Sequence, residues 1–176
     1  RPLAALDPEI AMRTITLMAP SKTFNIAGLH CAFAVIPNVT LRKRFQKARR
    51  GIVSHVNLMG YTAGLAAYRE GGPWLRALLA YLEENRDRVF DYVTTHFPAI
   101  KIAKPEGTYL AWLDCRAAGL PGNPHEFFLE HGKVVFNDGA TFGPGGEGFV
   151  RLNFGCPRDL LDEGLRRMSQ AMATLS

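Results

Sequence analysis

No apolar run in this sequence approaches the roughly 20 residues that a membrane-spanning helix requires, so no membrane span is expected. Its opening residues, Arg1-Pro2-Leu3-Ala4, do not lead a basic segment into an apolar core, which excludes a secretory signal there. No methionine stands first, so the numbering is expected to begin inside a longer product. Cysteine is scarce: Cys31, Cys115 and Cys156 are odd in number and far apart. With no CxxC and no Cys/His cluster at zinc-ligand spacing, neither a disulfide framework nor a metal site is expected. Each thiol reads as a small buried hydrophobe in a reducing compartment, by default the cytoplasm. Internal repeats and low-complexity tracts are also missing.

What is present describes an ordinary globular chain. It has 176 residues, 47% of them hydrophobic and 21% charged, too apolar for disorder. The net charge of +5 gathers in Leu41-Arg42-Lys43-Arg44-Phe45-Gln46-Lys47-Ala48-Arg49-Arg50. Leu41, Phe45 and Ala48 keep an i, i+4, i+7 stripe there, so the cations read as the solvated face of an amphipathic helix. A nucleic-acid partner would call for interleaved aromatics or a docking motif as well, and none is present.

Strand and helix signals alternate along the chain. Residues 14–19 and 31–36 are short apolar runs ended by Pro20 and Pro37, and both read as buried strands. Thr40 is placed to cap the basic helix. A helix follows over residues 56–68, and Pro73 opens a long one. Its stripe is Leu75, Leu78, Leu79, Leu82, Val89, Phe90, Val93 and Phe97, with Glu84–Arg88 as an i, i+4 pair and Pro98 as the stop. Strands are expected over 100–103, 108–113, 134–136 and 149–154, and a short helix from Asn123-Pro124 to Gly132. Asn137-Asp138-Gly139 reads as a turn, and Leu161, Leu165, Met168, Met172 and Leu175 mark a final helix. The fold class is α/β. An α/β part is expected over residues 1–82 and a smaller α+β domain over residues 83–176.

The string that carries chemistry is Ala19-Pro20-Ser21-Lys22-Thr23-Phe24-Asn25-Ile26-Ala27-Gly28-Leu29. It lies between two strands, in a connection exposed at a sheet end, where α/β folds usually hold their sites. A lysine that condenses with a carbonyl must be held rigidly with its amine accessible. Neighbouring hydroxyls and backbone N–H groups can take phosphate oxygens. On spacing alone, a solvated loop lysine is the simpler account.

The string from Ser21 to Leu29 closely resembles the cofactor-lysine segment of the class I/II aminotransferase superfamily, fold type I. Within it, the nearest resemblance is to the cystathionine beta-lyases and cysteine-conjugate C-S lyases. Residues 6–11 and Arg13-Thr14-Ile15-Thr16 resemble that branch's approach to the lysine. Asn137-Asp138-Gly139, Phe142-Gly143 and Phe149-Val150-Arg151-Leu152-Asn153-Phe154-Gly155-Cys156-Pro157 resemble its C-terminal segment.

This resemblance implies the C-terminal part of a pyridoxal 5'-phosphate (PLP) dependent transferase-like fold. Residues 1–82 would be the end of the large PLP-binding domain with its linking helices, and residues 83–176 the small domain. Lys22 would bind the cofactor covalently and move the substrate's Cα proton, and Arg151 would grip the substrate α-carboxylate. Ser21 and His30 would be cofactor-phosphate contacts, although the family's usual serine position, three before the lysine, is Ala19. Asn153 would lie near the substrate. His55, His96, His125 and His131 have no partner at catalytic spacing.

The family's glycine-rich phosphate loop, ring-stacking aromatic and ring-nitrogen aspartate precede its lysine, and only 21 residues precede Lys22. A truncated chain with little activity alone is therefore expected. The implied function is PLP-dependent β-elimination from cystathionine or a cysteine conjugate, giving a thiol, pyruvate and ammonia. An amino-acid aminotransferase is the alternative, and a non-catalytic regulatory or nucleic-acid-binding protein the alternative of another class. The family resemblance also implies a homodimer.

Overall fold

Asp7 opens the first regular helix. Its carboxylate accepts the Glu9 N–H at 2.7 Å, and Pro8 supplies a pre-set first position for α1 (Pro8–Met12). The computed structural model describes residues 2–175. Two units divide it, one ending at Ala77 and the other beginning at Leu78.

In the first unit β1 (Thr16–Met18) and β2 (Phe33–Val35) form an antiparallel ribbon in which Thr16 faces Val35 and Met18 faces Phe33. Helices α2 (Val39–Arg49) and α3 (Leu58–Glu70) follow. Asn38, not Thr40, caps α2: its Oδ1 accepts the Leu41 N–H at 3.1 Å while its Nδ2 donates to the Met12 carbonyl at 3.1 Å. An asparagine that satisfies two backbone groups at once outcompetes a threonine two residues further in. The strands stand where the apolar runs put them, but they are not buried. Leu17 is 71% exposed and Phe33 41%. A two-stranded ribbon has no layer of its own on either face, and an apolar run buries only where a layer covers it.

Helix α4 (Gly72–His96) crosses the division between the units. The second unit holds β3 (Lys101–Ile102), β4 (Leu110–Asp114), α5 (Pro124–Phe127), β5 (Asn137–Asp138), β6 (Phe149–Asn153) and α6 (Arg158–Ala173). Its antiparallel sheet has the order β3-β4-β6-β5. Side chains alternate along β4 and β6. Ala111, Leu113, Val150 and Leu152 are buried in a core with Val89 and Val93 of α4 and Leu161, Leu165 and Met168 of α6. The alternate positions, Trp112, Phe149, Arg151 and Asn153, occupy the other face, so strand periodicity itself presents Arg151 away from the core.

Three expectations give way to tertiary contacts. Glu84 and Arg88 do not pair with each other: Glu84 pairs with Arg158 at 2.8 Å, and Arg88 with Asp162. Residues 134–136 form no strand, and β5 falls instead on Asn137-Asp138, read above as a turn. α5 runs on as a π-helical segment over Phe128–Gly132, where the expected short helix ends, and Lys133, at φ +55, closes it, so that pairing with β6 starts only at Asn137. Thr108 takes φ +66 outside β4, which begins at Leu110.

One buried polar residue was invisible to the stripe of α4. Asn85 is fully buried, and its Nδ2 donates to the Phe154 and Cys156 carbonyls, each at 3.0 Å. Its Oδ1 accepts from Arg158 Nε at 3.2 Å, so one amide ties the end of β6 and the start of α6 to α4. Asn85→Leu leaves these carbonyls without a donor and is expected to lower stability by about 2–4 kcal/mol, read from the urea midpoint.

Among the described residues no helix is long and apolar enough to cross a membrane, and no group of three His, Cys, Asp or Glu side chains is arranged to hold a metal.

Candidate active site

The lysine segment begins at Pro20, whose side chain is fully buried. The Phe24 N–H donates to the Pro20 carbonyl at 2.9 Å and the Ile26 N–H to that of Ser21 at 3.0 Å, which folds residues 20–26 into a tight turn. Asn25 sits at φ +55, in the left-handed region that asparagine tolerates better than most residues.

Helix α3 holds this turn from beneath. Asn57 caps the helix, with its Oδ1 accepting the Gly60 N–H at 2.8 Å, and its Nδ2 donates to the Leu29 carbonyl at 3.0 Å. Gly60 and Gly64, one turn apart, make the close approach possible. A Cβ at Gly60 would stand 2.5 Å from the Leu29 carbonyl oxygen, and one at Gly64 would stand 3.3 Å from Cys31 Sγ. Phe24 is the apolar anchor: its ring meets Tyr68 edge-on at 5.7 Å and stacks on Trp74 at 6.2 Å. Braced between a glycine face and an aromatic clasp, the turn leaves Lys22 exposed.

Ser21 is half-buried, with its hydroxyl 3.5 Å from the Cys31 carbonyl. His30, at φ +52, lines a cavity of about 1050 Å³ walled by β2, α2 and α3, with Arg42 and Tyr61. Ser21 and Lys22 are not among the residues lining it.

In the second unit Arg151 stands on β6 opposite Trp112 of β4 on one side and Asn137 of β5 on the other. Its Nε and Nη2 donate to Asn137 Oδ1 at 3.3 and 3.0 Å, and its guanidinium lies 4.6 Å from the centre of the Phe142 ring. Among the described residues no carboxylate pairs with it. A half-buried guanidinium oriented by neutral groups keeps its charge for an anion. A cavity of about 460 Å³ touches Arg151, Asn153, Asn137 and Cys156, but it is also lined by Leu152 and by Leu161, Leu165 and Met168 of α6, on the core side of β6. Asn153 uses its Oδ1 to accept the Gly155 N–H at 2.8 Å, which shapes the turn leaving β6.

The remaining candidates are structural. Cys115 alone of the three cysteines is buried, and burial pushes its thiol up to about 12, where it stays protonated. Cys31 and Cys156 are half-buried. Arg116 hydrogen-bonds Asp114 through both carboxylate oxygens and holds its carboxyl down to about 2. His125 shares a 2.8 Å hydrogen bond with the Phe136 carbonyl, and His96 stacks on Tyr92 with ring centres 4.1 Å apart.

The family model "Aminotransferase class I and II" matches residues 2–168. The chain belongs to that family. Cystathionine beta-lyase PatB of Bacillus subtilis is 41% identical over 98% of the chain, a stretch that makes up 45% of PatB. Cystalysin of Treponema denticola, solved with a pyridoxal 5'-phosphate cofactor, superposes with a TM-score of 0.90 at 36% identity, covering 97% of this chain and 44% of that one. An aspartate aminotransferase of Pyrococcus horikoshii is 27% identical over 97% of the chain and 43% of its own length. The chain thus spans less than half the length of the relatives it matches. Class I and II aminotransferases are PLP-dependent, and the chain has the mixed α/β fold of their PLP-bound solved structures.

The sequence singled out Lys22 and Arg151 as candidates but not the residues that hold them in the structure. The glycines of α3 show a usable signal, an i, i+4 pair of small residues on one face. Asn137 and Phe142 stood in segments that resemble the family, but their place beside Arg151 depends on strand register and carried no local signal.

Proposed function

We propose that this protein is a PLP-dependent C-S lyase that eliminates a thiol from cystathionine or another cysteine conjugate, with one water consumed as the remainder is released as pyruvate and ammonia. The observation that carries the reading is the exposed amine of Lys22 on a turn braced by α3 and the Phe24 clasp. The residues fit the cofactor: an accessible amine flanked by the Ser21 and Thr23 hydroxyls suits an aldehyde that carries a phosphate. When bound, PLP supplies an electron sink for the bond broken at the substrate Cα.

The rest of the work falls to side chains. Lys22 would hold PLP through its amine, and that amine, when free, would take the proton from the substrate Cα. Arg151 binds the substrate α-carboxylate through two N–H donors and so fixes the direction of the Cα–H bond. Ser21 and His30 are proposed phosphate donors, and Asn153 a residue of the substrate's surroundings. Residues 1–82 are read as the end of the PLP-binding domain and 83–176 as the small domain. The reading includes a homodimer and a cytoplasmic location; three free cysteines suit the latter.

Elimination is preferred to transamination because PatB is a cystathionine beta-lyase, whereas the aminotransferase relative is more distant. With L-cystathionine, the intact protein is expected to release pyruvate at the same rate with and without an added keto acid. Turnover that requires the keto acid and yields its amino acid would make it an aminotransferase. Salt-sensitive nucleic-acid binding without either activity would favour the non-enzymatic alternative.

A further inference from the structure

We propose that Asn137 and Phe142 are positioning residues for Arg151, orienting its guanidinium toward a substrate α-carboxylate without neutralising it. The inference rests on the reading of Arg151 as the carboxylate holder.

A guanidinium carries five N–H donors. Asn137 Oδ1 takes one from Nε and one from Nη2. Nη1 and the second N–H of Nη2 remain as a fork that matches the two oxygens of a carboxylate. Phe142 fixes the plane of that fork by lying against its face at 4.6 Å. An aspartate at either place would orient the cation equally well and cancel the charge that a substrate needs.

Both residues are themselves held. Asn137 faces Arg151 in the β5–β6 register. Phe142 ends a single helical turn, Gly139–Phe142, that Asp138 caps by accepting the Ala140 N–H at 3.1 Å. Gly139 has no room for a Cβ, because the Gly146 and Phe149 carbonyls crowd it. The Phe142 ring meets Trp112 edge-on at 5.5 Å, and Trp112 stacks on Phe149 at 5.5 Å. Phe142 is 51% exposed and Trp112 39%, so these rings lie on the sheet face away from the core. The string Asn137-Asp138-Gly139 with Phe142 thereby gains a physical reason: each residue holds Arg151 or holds what holds it.

The test uses the intact protein with PLP bound, titrated calorimetrically with L-alanine and with L-alaninamide, neither of which has a β-leaving group. Asn137→Asp is expected to weaken L-alanine binding about tenfold and L-alaninamide binding less than about threefold. Phe142→Leu should weaken L-alanine several-fold with the same selectivity, and Phe142→Tyr, which keeps the ring, should restore it. Parallel losses for acid and amide in both variants, or no loss in either, would overturn the proposal. A wild-type protein that binds acid and amide alike would overturn it together with the role of Arg151. Pyruvate release from S-ethyl-L-cysteine, measured alongside, reports separately on the lyase reading: its absence with acid–amide selectivity intact would sink the lyase and leave this inference standing.

Discussion

Replacing Lys22 by alanine is expected to lower pyruvate formation from L-cystathionine by at least about a thousandfold while the protein stays folded. A positioned general acid–base group alone is worth about a hundred- to ten-thousandfold, and under the proposed function this amine would also be the point of covalent attachment. The fold should be indifferent to the change. Lys22 is exposed, and what shapes its turn is Phe24 in its aromatic clasp, the Asn57 bond to Leu29 and the glycine face of α3. Urea midpoints of variant and wild type, both measured without PLP, should coincide. Lys22→Arg should be equally inactive, because it keeps the charge but gives up the condensing amine. Substantial turnover in either variant would show that another group performs the chemistry.

Arg151→Ala is expected to reduce kcat/KM by about a hundred- to a thousandfold. Loss of two charge-assisted hydrogen bonds is worth about 3–6 kcal/mol at the upper end, and water replaces part of it. Arg151→Lys should recover little, since an ammonium cannot present the paired donors left beside Asn137. Stability should change little in either variant, because the side chain lies on the sheet face away from the core. Steady-state kinetics with a keto-acid-independent pyruvate assay distinguishes these outcomes; an Arg151→Ala enzyme within a fewfold of wild type would remove Arg151 from the site.

How much of this was legible depended on whether a signal was local. The apolar runs at 108–113 and 149–154 marked the strands that became β4 and β6, and the period of a strand then sets Leu113, Val150 and Leu152 in the core with Arg151 opposite them. The long helix ended at its proline for an equally local reason. Lys22 and Arg151 emerged from family resemblance; periodicity gave them no functional weight. Contacts between distant residues stayed hidden. Asn85 looked like a gap in an apolar stripe, yet it joins segments about 70 positions apart. Asn137 looked like a turn residue until register set it beside Arg151. The exposure of β1 and β2 was misread because apolar composition measures tendency to bury, whereas burial itself depends on the layers around a strand.

Borohydride reduction followed by peptide mapping tests the central claim most directly. In the intact protein the visible absorbance of bound PLP should disappear on reduction, and the pyridoxyl label should appear on the peptide containing Lys22 and on no other. A protein that takes up no label, or carries it on a different lysine such as Lys101 or Lys133, would contradict the account.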